Sequence, residues 1–89
     1  MAEGRRIDQW LWFARIVKSR SLAARLVTEG QIRINRVKIG KPGKDVSPGD
    51  VITAAVHGQI RVLRVLAIGA RRGPALEAQG LYEEIAGEA

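Results

Sequence analysis

Basic side chains are crowded into the first half of this 89-residue chain. Residues 1–44 contain eleven Lys and Arg against three Asp and Glu, a net charge of +8, whereas residues 45–89 contain four against six, a net charge of −2. One cluster lies between Arg15 and Arg25, and a second runs from Arg33 to Lys44. Charge concentrated in this way is typical of a surface that attracts an anionic partner, and nucleic acid is the leading candidate.

These residue types indicate binding without chemistry. Lys and Arg neutralise phosphates, and Ser and Asn form hydrogen bonds with phosphate or 2′-hydroxyl groups. A-form RNA hides its base edges in a deep, narrow groove, so a rigid basic face reads shape and backbone more than sequence. We expect Arg6, Asp8 and Trp12 to support this face or to make weaker contacts. The expected RNA-binding residues are Arg15, Lys18, Ser19, Arg20, Ser21, Arg25, Arg33, Asn35, Arg36, Lys38, Lys41 and Lys44.

The sequence offers no arrangement typical of a catalytic or metal site. The one histidine, His57, adjoins a glycine in a turn, and Asp45, Asp50 and Glu77 have no triad or paired-carboxylate spacing. There is no cysteine, so a disulfide framework and a thiolate metal site are both excluded. We therefore expect no enzyme activity, no catalytic residue, no metal and no cofactor.

Length and composition predict one small domain that folds alone. The chain is 46% apolar, which suffices for a modest core but not for a roomy enzyme cleft. It begins with a charged, amphipathic segment, and no run approaches the roughly 20 apolar residues of a membrane span. We expect a soluble, cytoplasmic monomer with no membrane partner.

A first helix is predicted from Ile7, where Asp8 is favourable near the N-terminal end of the helix dipole. Trp10 lies on the apolar face of this helix and is expected in the core. Trp12 lies off that face, three positions before Arg15. It either covers a neighbouring hydrophobic side chain or provides a stacking platform for a base.

A second helix is predicted from about Arg20 to Glu29. Ser19 is a favourable N-cap, and Gly30 stands at the position where a left-handed residue commonly ends a helix. The free N–H groups at its start, with basic and hydroxyl side chains around them, resemble a phosphate-binding site. A capped surface helix with solvated charges is the other interpretation.

Alternation over residues 31–39 predicts a β-hairpin. If Asn35 and Arg36 form a two-residue turn, Arg33 lies opposite Lys38, an unfavourable pair of like charges unless an anion lies over it. Such a turn also places Arg36 at a positive φ that glycine would favour. Either the turn differs, or Arg36 is retained for what it contacts. The residues expected on the buried face are Ile32, Ile34, Val37 and Ile39.

The rest of the chain predicts further strands and a terminal helix. Residues 40–44 form a basic loop, and strands are expected over 51–56 and 60–68, the latter with a bulge or at a sheet edge. Residues 69–73 read as a basic linker. Pro74 then suits the start of a short helix from Ala75 to about Ile85.

Several short motifs, taken together, resemble the RNA-binding domain named after bacterial small-subunit ribosomal protein S-four. In order and spacing they are Arg6 to Leu11, Ser19 to Ala23, Glu29 to Asn35 and Pro48 to Asp50, which cover roughly residues 5 to 56. Nearly the whole chain resembles the stand-alone heat-shock protein 15 family, through Asp8 to Arg15, Arg71 to Ala75 and Leu81 to Glu84.

The resemblance implies an α+β fold, with two N-terminal helices packed on a small, mostly antiparallel sheet (the alpha-L RNA-binding motif) and a short C-terminal helix. The domain would span residues 6–68, after a disordered N-terminus (1–5) and before a basic linker and short helix (69–89). It implies a grip on structured RNA, ribosomal RNA or tRNA, and a stress-response role on the large ribosomal subunit, in quality control of stalled subunits carrying peptidyl-tRNA. The alternatives are an RNA-binding appendage of an RNA-modifying enzyme and a basic adaptor for an acidic protein.

Two departures from the family pattern accompany this resemblance. Asn-Gly is usual at the hairpin tip, where this chain has Asn35 and Arg36. Longer members continue into a basic C-terminal tail, whereas this chain ends in the acidic stretch from Glu83 to Ala89. We expect any function that rests on such a tail to be missing or supplied elsewhere.

Overall fold

The structure is a computed structural model that describes residues 4–85. No helix within this range is long and apolar enough to cross a membrane. The elements in chain order are β1 (Arg5–Arg6), α1 (Ile7–Phe13), α2 (Arg20–Thr28), β2 (Ile32–Ile34), β3 (Val37–Lys38), β4 (Asp45–Val46), β5 (Val51–Val56), β6 (Gln59–Val65), α3 (Ala75–Gln79) and β7 (Tyr82–Ile85).

Five strands form an antiparallel sheet in the order β3-β2-β5-β6-β7, and β1 pairs with β4 in a separate two-stranded ladder. One face of the larger sheet joins the apolar sides of α1 and α2 in a single core, whose largest fully buried side chain is Trp10. The Trp10 indole Nε1 donates to the Ala67 carbonyl at 2.9 Å, so its buried polar atom is paired. The α+β fold, with two N-terminal helices on a mostly antiparallel sheet, is confirmed.

Both major helices end in a Schellman motif. After α2, Gly30 adopts φ +79°, and the Gln31 N–H donates to the Leu26 carbonyl at 2.9 Å. After α1, Arg15 occupies the equivalent position with φ +60°, and the Ile16 N–H donates to the Leu11 carbonyl at 3.0 Å. A non-glycine residue in this conformation costs about 1–2 kcal/mol. Sequence-based reasoning located only the glycine example.

The start of α2 is as predicted. Ser19 is the N-cap, and its side-chain oxygen accepts from the Leu22 N–H at 3.0 Å. On this helix Ala23 and Val27 are buried, while Leu22 and Leu26 are half-buried against the core.

The β2–β3 hairpin has the predicted register, with Arg33 opposite Lys38 and Ile34 opposite Val37. Asn35 and Arg36 form the turn, with φ values of +51° and +72°. The prediction that Val37 is buried is wrong, because its exposed fraction is 63%. β3 is a two-residue strand at the edge of the sheet, so nothing covers this side chain even though it alternates correctly.

The C-terminal region differs from its predicted form. β6 ends at Val65, is paired on both sides and shows no bulge in its register with β5. The predicted helix stops at Gln79, because Gly80 caps it, and the following residues form β7 along the free edge of β6. This pairing satisfies an edge that would otherwise be open.

Residues 67–73 lie against α1. Carbonyl groups of this segment accept from the side chains of the N-terminal region: Arg5 Nη2 donates to Gly69 O at 2.8 Å, and Arg15 Nε donates to Gly73 O at 2.7 Å. In return, Arg72 Nε donates to Trp12 O at 3.0 Å. Arg5 also lies in β1, although residues 1–5 were expected to be disordered. Residues 1–3 and 86–89 lie outside the described range.

Candidate nucleic-acid interface

A buried carboxylate at the start of α1 orients two arginines. The Asp8 side chain is 5% exposed, and its oxygens accept from Arg6 Nε at 3.2 Å and from Arg6 Nη2 at 3.1 Å. Arg20 Nε lies 3.6 Å from the same carboxylate. Asp8 Oδ1 also accepts from the Gln9 N–H at 2.7 Å, which satisfies one first-turn donor of α1. Arg6 and Asp8 are thus paired with each other at the start of α1, and their support of an RNA-binding face stays a prediction.

The basic loop over residues 40–44 is attached to the same place. The Ile7 N–H donates to the Lys44 carbonyl at 2.8 Å, and the Asp8 N–H donates to the Pro42 carbonyl at 3.3 Å. The Arg6 guanidinium passes beside Gly43. Backbone donors at the start of α1 therefore hold this loop next to the Arg6–Asp8–Arg20 cluster.

The loop and the hairpin share one surface. Val37 and Lys38 line an open depression together with Ile39, Gly40, Lys41 and Lys44. The aliphatic end of Lys38 also lies against Gly30, where the absence of a side chain leaves room for it. We give the name basic face to the cations of the hairpin, of the loop and of the Arg6–Asp8–Arg20 cluster: Arg6, Arg20, Arg33, Arg36, Lys38, Lys41 and Lys44.

The hairpin tip is fixed by the side chain of Asn35. Its Oδ1 accepts from the Val51 N–H at 2.9 Å, and its Nδ2 donates to Asp50 Oδ1 at 3.1 Å. Asp50 in turn accepts from the Ser47 N–H at 2.9 Å. Asn35 was predicted to contact RNA, but its amide group is engaged inside the protein, so its geometry supports the position of Arg36 instead.

Six of the predicted RNA-binding cations have no carboxylate within ion-pair distance and no side-chain hydrogen bond among residues 4–85. They are Lys18, Arg33, Arg36, Lys38, Lys41 and Lys44. Each is exposed. Five belong to the basic face, and Lys18 lies in the α1–α2 connection just before Ser19.

Other predicted residues lie in different settings. Arg25 pairs with Glu29 on α2, Nε to Oε2 at 3.2 Å, and Arg15 is bonded to the Gly73 carbonyl. Ser21 is exposed, and the Ser19 oxygen is used in capping. No side-chain hydrogen bond or ion pair among residues 4–85 joins Arg15 or Arg25 to the basic face.

The Trp12 side chain packs over the edge of the hydrophobic core. It is half-buried against the core, its ring centroid lies 5.9 Å from that of Phe13, and the Arg72 guanidinium lies 5.4 Å from its centroid. One face of the indole is therefore already occupied by a cation. Of the two interpretations left open by the sequence, cover and platform, this geometry favours cover.

Three of the four cations of the C-terminal half are paired with carboxylates, and the fourth, Arg72, lies against Trp12. Arg61 pairs with Glu84 through two hydrogen bonds of 2.9 and 2.7 Å, and Arg64 and Arg71 pair with Glu83 and Glu77. The hydrogen bond from Arg61 lowers the pKa of Glu84, and the same bond raises the pKa of Arg61. Most of the positive charge in this half is therefore paired with glutamates of the same half.

Comparison with known proteins agrees with this architecture. Residues 5–52 match the S4 domain family. The chain is 42% identical over 79 residues to the heat shock protein 15 homolog of Aeromonas salmonicida, covering 89% of this chain and 59% of that protein. It is 40% identical over 81 residues to heat shock protein 15 of Escherichia coli strain K12, covering 91% and 60%. The chain thus spans about 60% of the length of these curated relatives.

A solved structure of heat shock protein 15 from Vibrio cholerae has the same fold. Its TM-score is 0.85 at 40% identity, covering 94% of this chain and 84% of that one. That structure is described as trimeric, which runs against the monomer expected from this sequence. The matched residues include α1, α2 and the β2–β3 hairpin, the elements that build the basic face. This chain therefore belongs to the S4 domain family, and within it to the heat shock protein 15 proteins.

Proposed function

We propose that this chain binds structured RNA through the basic face, without catalysing a reaction. The observation that supports this most strongly is that five of the seven cations of this face have no carboxylate partner within residues 4–85, while both arginines of β6 are paired with glutamates of β7. The five are Arg33, Arg36, Lys38, Lys41 and Lys44. Free surface cations of one sign attract phosphates and release their counterions on binding.

The Arg33–Lys38 pair supports the same proposal. Two like charges directly opposed on neighbouring strands destabilise a hairpin by a few tenths of a kcal/mol. A phosphate placed between them would reverse the sign of that contribution. No carboxylate within residues 4–85 lies within ion-pair distance of either side chain, so a phosphate is a favourable partner for this pair.

We further propose that the RNA belongs to the large ribosomal subunit. Its binding would serve the rescue of stalled subunits that carry peptidyl-tRNA, with tRNA as a second possible contact. This part rests on membership of the heat shock protein 15 family and on the basic face being built from elements within the residues that match the S4 domain family, α1, α2 and the β2–β3 hairpin.

Sedimentation of cell lysate through sucrose tests the proposal. We expect the wild-type chain to travel with large subunits and the Arg33→Glu, Lys38→Glu variant to remain at the top of the gradient. These positions are preferable to Arg20, because a glutamate there would lie beside the buried Asp8 carboxylate and disturb folding.

The matched control is Arg64→Glu combined with Arg71→Glu, which makes the same change in net charge at two cations outside the basic face. Circular dichroism confirms that each variant is folded. Co-sedimentation of a folded Arg33→Glu, Lys38→Glu variant with large subunits would remove the basic face from the mechanism. Wild-type protein that travels free of subunits but binds purified RNA would reject the ribosomal assignment alone.

A further inference from the structure

An exposed valine borders the lysines of the basic face. Val37 is the first residue of β3, and its exposed fraction is 63%. In the sequence it lies between Arg36 and Lys38. An apolar side chain at this point gains nothing from the RNA backbone, because phosphate oxygens and 2′-hydroxyl groups are polar. An unpaired base is the part of an RNA that offers an apolar surface to such a side chain.

The depression beside Val37 has the composition of a nucleotide site. It has a volume of about 340 Å³, close to the lower end of the roughly 300 to 1,000 Å³ of small-ligand sites. Ile39, nearly buried, and Val37 supply apolar surface, and three lysines, Lys38, Lys41 and Lys44, supply charge. No carboxylate lines it. A neighbouring depression that also touches Lys38 is lined by Glu29, whose charge disfavours phosphate.

The backbone of β3 adds hydrogen-bonding groups. Residues of an antiparallel strand turn their N–H and C=O groups alternately toward and away from the partner strand. The Ile39 N–H donates to the Ile32 carbonyl, so the polar backbone groups of Lys38 point toward the open edge of the sheet. A base that is not already paired within the RNA has donors and acceptors to meet them.

We propose that this depression binds one unpaired nucleotide of the RNA, with its base against Val37 and Ile39 and its flanking phosphates near Lys41 and Lys44. The inference deepens the proposed function and rests on it. A base within a continuous A-form duplex is stacked and paired and cannot enter, so the preferred RNA has a bulge, a loop or a strand end beside a helix.

The test compares two RNAs and two variants at one salt concentration. The RNAs are a short duplex and the same duplex with a single unpaired adenosine. Val37→Thr keeps the β-branched shape but replaces a methyl group by a hydroxyl group. The control is Ile60→Thr, which also replaces an alkyl branch of a β-branched side chain by a hydroxyl group, at a residue that is 67% exposed beside the β5–β6 turn.

We expect the wild type to bind the bulged duplex more tightly than the paired one. Val37→Thr should reduce that preference by about three- to tenfold, on the scale of one buried methyl group, and leave the salt dependence unchanged. Ile60→Thr should leave the preference intact. Equal affinity of the wild type for the two duplexes, or equal effects of the two variants, would overturn the inference while leaving the proposed function in place. Binding to neither duplex would remove the proposed function and the inference together.

Discussion

The two ends of the five-stranded sheet differ in whether their cations are paired with carboxylates. At the β2–β3 end, Arg33, Arg36 and Lys38 have no carboxylate partner among the residues that the structure describes. At the β6–β7 end, Arg61 and Arg64 are each paired with a glutamate of the neighbouring strand. Both ends expose arginines to solvent, yet only one of them offers uncompensated charge to a partner.

This difference shows why counting charges along the chain is a coarse guide to a binding surface. The net charge of the first half predicts that the binding surface lies there, but within that half Arg25 is paired with Glu29 and Arg15 is bonded to a carbonyl group. What distinguishes a binding cation from a structural one is the partner supplied by the fold. That partner depends on three-dimensional neighbours.

The largest expected effect comes from removing equal charge at the two ends. Arg33→Gln with Lys38→Gln should weaken binding to structured RNA by roughly tenfold to a hundredfold at moderate salt, because two phosphate contacts are lost. Arg64→Gln with Arg71→Gln has the same change in net charge and should weaken binding by less than about twofold. Filter binding or fluorescence anisotropy with one RNA measures both. Similar losses for the two pairs would mean that RNA affinity depends on the overall charge of the protein. The difference between the two ends of the sheet would then have no bearing on RNA binding.

A second prediction sharpens the comparison at the hairpin tip. Arg36 holds φ +72°, so Arg36→Gly should raise the free energy of unfolding by about 1 kcal/mol while weakening RNA binding several-fold through loss of one cation. Urea denaturation and RNA titration measure the two effects. A variant that gains stability with unchanged affinity would show that Arg36 makes no contact.

His57→Gly is the matched control for that experiment. His57 lies in the β5–β6 turn with φ +53°, outside the basic face, and His57 and Gly58 form the same kind of two-residue turn as Asn35 and Arg36. The substitution should stabilise the fold comparably and leave RNA affinity unchanged. Parallel losses of affinity in both variants would point to hairpin rigidity rather than charge.

The smallest expected effect concerns the paired end. Because the hydrogen bond from Arg61 lowers the pKa of Glu84, this pair contributes its stability fully above the ordinary glutamate pKa and loses it as the pH falls through the lowered value. Both side chains are partly exposed, so the contribution is less than about 1 kcal/mol. Urea unfolding of wild type and Glu84→Gln from about pH 6 to about pH 3 should show a shallower acid loss in the variant. Identical pH profiles would contradict this assignment.

Local signals made much of the fold predictable. The N-cap Ser19, the helix-ending Gly30 and the alternation over residues 31–39 correctly indicated α2 and the β2–β3 hairpin, including the Arg33–Lys38 register. These features depend on neighbours within a few residues, which is the range that propensity and periodicity describe.

The features that were missed depend on distant partners. Residues 82–85 form β7 rather than the end of a helix, because the free edge of β6 is available to them. Val37 alternates as a buried residue but lies on an edge strand with nothing above it. The hydrogen bond from Arg15 Nε to the Gly73 carbonyl joins positions 58 residues apart. The alternation of apolar residues predicts which face of a sheet a side chain lies on. Whether other elements bury that face depends on the tertiary structure.

The salt dependence of RNA affinity tests the central claim most directly. For six engaged phosphates, the slope of log affinity against log salt should lie between about −4 and −5 for the wild type. It should become shallower by about 1.5 to 2 in Arg33→Gln with Lys38→Gln, and stay unchanged in Arg64→Gln with Arg71→Gln. A wild-type slope near zero, or the same slope change in both variants, would contradict the account.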